Sequence, residues 1–117
     1  MGKIEEFTAF FDDKIARSKQ TFAALQADNR QDEAILEKIK GNIYDIFRTV
    51  LLAAQKAKSD ENAQRDFFRN NMNNIPRGWK IAYEKAEKNG DAVRLAQEKV
   101  KLEALREIEE AFARIWG

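Results

Sequence analysis

Residues 32 to 58 read DEAILEKIKGNIYDIFRTVLLAAQKAK, and this stretch decides the fold class. Ile35, Ile39, Ile43, Ile46, Val50, Ala53 and Ala57 recur at intervals of 4, 4, 3, 4, 3 and 4 residues. That spacing keeps them on one face of an α-helix. Leu36, Phe47 and Ala54 flank the stripe. Four isoleucines and a valine suit a strand by side-chain preference alone. The helical period and the length of the segment decide against one. The stripe is therefore expected to face a core. Gly41 lies off it and reads as a surface glycine that costs the helix about 1 kcal/mol relative to alanine.

Toward the N-terminus, Ile4, Phe7, Phe11, Ile15, Ser18, Phe22 and Leu25 form a second stripe, which predicts a helix over 3–28. Ser18 falls on that stripe and is expected to bond back to its own backbone. Asp28-Asn29-Arg30-Gln31 supplies the turn between the two helices. Downstream, Ser59 or Asp60 can cap a shorter helix whose face is Ala63, Phe67, Phe68, Asn71 and Ile75. It decays in Asn70-Asn71-Met72-Asn73-Asn74, where asparagine side chains compete with the helical ladder.

Pro76 is expected near the start of a fourth helix capped by Asn74, and Asn89-Gly90 ends it. Asp91 then caps a last helix whose C-terminal half carries Leu105, Ile108, Ala111, Phe112, Ile115 and Trp116. Leu95 and Leu102 stand on another side of its first half. No period-two run occurs. The chain reads as one all-α domain over residues 1–117, an antiparallel up-and-down helical bundle of four to five helices, three long and two short. Its core is expected to be led by Ile35, Ile39, Ile43, Ile46, Val50, Phe22 and Ile108.

Composition removes most chemistry. The 117 residues include no cysteine and no histidine, so thiolate metal sites, disulfides and Ser-His or Cys-His nucleophiles are excluded. A carboxylate di-metal site in a bundle draws on Glu-x-x-His pairs, and without histidine that arrangement fails. Acidic pairs at helical spacing, Glu84/Glu87, Glu103/Glu107 and Glu107/Glu110, sit among polar neighbours and read as solvated faces. So does the Arg94/Glu98 pair. The glycines are scattered singly, with no phosphate-binding loop. The two serines, Ser18 and Ser59, lie in no nucleophile elbow. No enzyme, no cofactor and no metal is expected. Lys+Arg 21 against Asp+Glu 20 leaves a net charge of +1 and no overall field for nucleic acid or membrane. The longest apolar run, Val50 to Ala54, is far short of the roughly 20 residues a membrane helix needs. Residues 1 to 7 resemble no secretory signal. A cytoplasmic protein is expected.

What remains is binding. Phe7, Phe10 and Phe11 crowd into five residues, and Trp116 stands at the C-terminal end. Together they are the candidate surface for a protein partner or for self-association. The alternative is a nucleic-acid contact built from Arg65, Arg69, Asn73, Asn74, Arg77, Trp79 and Lys80, where cations and amides interleave with aromatic rings. It is the weaker of the two, because the local charge excess is small beside that of a basic domain.

Overall fold

The computed structural model describes residues 2–117. It contains five helices: α1 (Lys3–Ala27), α2 (Gln31–Ala57), α3 (Glu61–Asn74), α4 (Trp79–Lys88) and α5 (Ala92–Trp116). Their ends follow local chemistry. Asn29 takes the left-handed backbone conformation at φ 57°, which asparagine tolerates better than most residues, and so turns α1 into α2. The Asp60 side chain accepts from the Ala63 N–H at 3.0 Å, and Asp91 accepts from the Arg94 N–H at 3.1 Å. Both satisfy first-turn donors that have no helical partner. Gly90 sits at φ 68°, the conformation that ends α4 without steric cost.

The junction of α3 and α4 differs from expectation. Pro76 does not open α4, which starts at Trp79 after Gly78 and has no side-chain cap. Asn74 instead accepts the Arg77 N–H through its own carbonyl at 3.3 Å, and Pro76 accepts that of Trp79 at 2.9 Å. Proline has no N–H to continue the ladder, so a stretch of tight turns separates the two helices. Together α3 and α4 form one interrupted leg, and the molecule is a four-legged bundle in five pieces.

Cross-links between helices give the direction of each leg. Asp12 meets Arg48 at 2.6 Å, and Ser18 meets Glu37 at 2.9 Å, so α1 and α2 run antiparallel. Phe7 lies against Trp116, and Lys14 lies 3.7 Å from Glu107, so α5 runs antiparallel to α1. Phe68 of α3 touches both Phe47 and Phe112, while Glu61 accepts from the Trp116 indole. The third leg therefore runs opposite to α2 and α5. The result is the expected up-and-down all-α bundle.

Its core is aromatic and lies toward one end. Phe68 is fully buried at the centre, with the rings of Phe7, Phe47 and Phe112 at 4.9, 6.2 and 5.9 Å between centroids. Phe11, Ile43, Tyr44, Leu51, Ala104, Ile108 and Ile115 complete it. At the other end, around the α1–α2 turn, Ile15, Phe22, Leu25 and Leu36 are only half-buried.

The α2 stripe needs correction. Ile35 and Ile46 are 48% and 42% exposed, and Ile39 and Val50 are half-buried; of the expected α2 core only Ile43 is buried. Tyr44, Phe47, Leu51 and Ala54 face inward instead. The two faces are about one residue apart on a helix that turns about 100° per residue. A Phe or Tyr ring removes 150–250 Å² from water, more than an isoleucine can. Rotating α2 to bury Tyr44 and Phe47 therefore outweighs burying the isoleucines. Phe22 is likewise half-buried, whereas Ile108 is in the core.

Gly41 is also not a free surface position. A Cβ built on it would come within 3.1 Å of the Ser18 Cβ, so the two small residues mark a close crossing of α1 and α2. Ser18, buried, does not bond back to its own helix; its Oγ donates across the crossing to Glu37 Oε1.

Candidate interaction surface

The aromatic residues expected at a partner surface are placed in the core. Phe7, Phe11 and Trp116 are buried, and Phe10 is half-buried against Phe7, Phe11 and Tyr44. The physical reason is the position of α3. Phe68 inserts between α1 and α5 and gives the rings of both a common apolar environment, so that Trp116 docks edge-on to Phe7 at 5.9 Å. Among the described residues, no aromatic patch at the N-terminal end faces water.

Four large apolar side chains are exposed among the described residues, Ile81 on α4, Val93 on α5, and Ile35 and Ile46, which align on one face of α2. Ile35, Ile39, Asn42, Ile46, Thr49 and Ala53 follow one another at 4, 3, 4, 3 and 4 residues. All are exposed except the half-buried Ile39. A strict alternation of four and three is the repeat by which one helix packs along another. Two grooves border this ridge. One, of about 320 Å³, lies between α1 and α2 and is lined by Ile15, Ser18, Phe22, Gly41, Asn42 and Asp45 among others. The second, of about 280 Å³, lies between the first turns of α2 and α5, where Ile35 and Leu36 meet Ala92, Val93 and Ala96. Val93 is 71% exposed there. Of this ridge, the sequence stripe contained Ile35, Ile39, Ile46 and Ala53, with the isoleucines expected in the core, but not Asn42 or Thr49. The signal that sequence reasoning missed was the second apolar face, Tyr44-Phe47-Leu51-Ala54, which competes for the same burial.

The basic stretch is divided among different tasks. Arg65 and Arg69 both approach Asp66, at 3.6 and 3.4 Å, and the Arg69 guanidinium lies over the Phe112 ring at 5.8 Å. Trp79 packs against Phe47, with the Lys101 ammonium 4.9 Å from its ring centre, so its face is already covered. Asn73, Asn74, Arg77 and Lys80 are exposed. Arg77 and Lys80 make no ion pair among the described residues. The stretch thus contributes two open cations rather than a continuous track.

Two partly buried polar clusters, built around buried Tyr44 and buried Glu98, escaped sequence reasoning because their members lie far apart in the chain or were taken for a solvated face. The Tyr44 hydroxyl donates to Glu107 across 63 residues, and Lys14 and Lys40 approach the same carboxylate at 3.7 and 4.0 Å. This ties α1, α2 and α5 together. Burial first, then the Glu107 hydrogen bond and the negative charges of Glu107, Glu37 and Glu103, pushes the Tyr44 hydroxyl well above the ordinary phenol range.

The consequence for stability has a definite sign. A phenol whose folded pKa exceeds its unfolded value contributes stability that is complete below the unfolded value, near 10, and is lost as pH rises through the folded one. Wild-type stability should fall between pH 10 and 11.5 at up to about 1.4 kcal/mol per pH unit more steeply than that of Tyr44→Phe. Parallel denaturation curves for the two proteins across that range would contradict this.

Glu98 is the second cluster. It is only 4% exposed, in contrast to the solvated face expected for it. Arg94 approaches Oε1 at 3.0 Å, and Oε2 faces the Lys101 ammonium at 3.1 Å as an ion pair rather than an aligned hydrogen bond. The Glu107 cluster ties three helices together, the Glu98 cluster lies within α5, and both are closed by their own counter-charges. No group of three or more Asp or Glu that could hold a metal ion occurs among the described residues, and no helix there is long and apolar enough to cross a membrane. No protein-family model, no curated protein and no solved structure matches this chain.

Proposed function

We propose that the chain is a small, cytoplasmic, non-enzymatic binding bundle that engages a protein partner, another copy of itself included, through the outer face of α2. The observation that carries this reading is the alignment of exposed Ile35 and Ile46 with half-buried Ile39 on the outer face of α2, in a molecule whose largest aromatic cluster is buried. Single apolar residues on a surface are ordinary, whereas a contiguous apolar line on a helix marks an interface. An amphipathic helix laid along such a line is a common recognition mode. The grooves beside the ridge offer shape for the flanking side chains of the partner helix. The absence of histidine and cysteine supports the non-enzymatic part of the reading, as does the closure of both carboxylate clusters by cations. The nucleic-acid alternative rests on Arg77 and Lys80 and is the weaker proposal.

The test is affinity capture from the cells that make the protein, comparing wild type with the double substitution Ile35→Asp/Ile46→Asp. Both side chains point to solvent, so far-UV circular dichroism should be unchanged. The expected result is a partner, or the chain itself, recovered with wild type and lost with the variant. Equal recovery by both proteins would overturn the reading.

A further inference from the structure

We propose that the helix that covers the α2 ridge is α2 of a second copy, paired antiparallel about a two-fold axis between Ile39 and Asn42. The inference rests on the reading of the α2 face as a binding surface and deepens it by naming the occupant. In an antiparallel pair with a three–four repeat, layers form between residues whose numbers share a constant sum. Setting Ile35 against Ile46 of the second copy also sets Ile39 against its Asn42. The seam then holds six isoleucines, with the two Asn42 side chains flanking the axis.

Charge selects this arrangement. Lys38 and Asp45 lie on the same flank of the ridge, seven residues apart, one on either side of the axis. Both are exposed, and neither forms an ion pair among the described residues. A two-fold axis perpendicular to the helix keeps that flank on the same side in both copies, so each Lys38 meets the Asp45 of the other and two equivalent ion pairs form. A parallel pair would instead set Lys38 and Asp45 against the opposite flank, that of Ile43 and Val50, and leave both charges unmatched. Antiparallel alignment also opposes the two helix dipoles, and a net charge of +1 per copy presents little repulsion to association.

The experiment is sedimentation velocity of the full chain from micromolar to several hundred micromolar, with far-UV circular dichroism on every variant. The expected result is a monomer–dimer equilibrium for wild type. Lys38→Asp and Asp45→Lys should each weaken it by about tenfold, since each turns two attractive pairs into repulsive ones. The double exchange Lys38→Asp/Asp45→Lys should restore wild-type affinity, and Ile46→Asp should abolish the dimer with the helical signal intact. A wild type that stays monomeric at every concentration overturns self-pairing, as does a double exchange that behaves no better than the single ones. If the chain is monomeric while Ile35→Asp/Ile46→Asp still loses a captured partner, self-pairing falls and the binding surface stands. If that variant changes neither association nor capture, both fall.

Discussion

Replacing Phe68 with alanine is expected to remove about 3–5 kcal/mol of stability, the largest loss of any single side chain in this bundle. Phe68 is fully buried, and its ring lies within 6.5 Å of those of Phe7, Phe11, Phe47, Phe112 and Trp116. With the buried Met72 beside it, it packs α3 against α1, α2 and α5. Truncation forfeits its own transfer from water and leaves a cavity whose lining comes from four helices. No single element can relax to fill such a space. Domains of ordinary size hold a margin of about 5–15 kcal/mol in all, so the urea midpoint of Phe68→Ala should fall far below that of wild type. A loss below 1 kcal/mol would mean that α3 does not sit in the core.

Leu51→Ala carries the second large effect, a loss of about 2–5 kcal/mol. Leu51 is fully buried on the inward face of α2, in the same cluster as Phe47 and Phe68. Alanine is the better helix former by only a few tenths of a kcal/mol, so propensity recovers little of the lost packing. The expected consequence is a lower urea midpoint with an unchanged dependence on denaturant, because the surface exposed on unfolding is nearly the same.

The helices and their order were legible because each long segment carries a helical period and each junction carries capping or turn residues. The α1 stripe was read in the correct phase because its opposite face is charged and leaves one choice. The phase of α2 was not legible. Its isoleucines and its Tyr44-Phe47-Leu51-Ala54 line both repeat at helical spacing, and only the volume of the rings on α1, α3 and α5 decides which of them turns inward. The same cause hid the candidate surface, since a ridge assigned to the core is not sought on the outside. Phe7 and Trp116 were misplaced for the converse reason. Their burial depends on Phe68, a partner 61 and 48 residues away in the chain. The Tyr44–Glu107 tie is equally remote, and no spacing rule within one helix reveals it. The Lys38/Asp45 pair was present in the sequence throughout, but it acquires meaning only once its helix face is known to be outside.

The orientation of α2 is therefore the point on which the fold, the surface and the proposed pairing all depend. Equilibrium urea unfolding of Leu51→Ala beside Ile46→Ala, in dilute protein, tests it most directly. A core-facing Leu51 and a solvent-facing Ile46 predict a loss of about 2–5 kcal/mol for the first and a change within about 0.5 kcal/mol for the second. Comparable losses, or the reverse order, would place the isoleucine face inside the bundle and contradict the account.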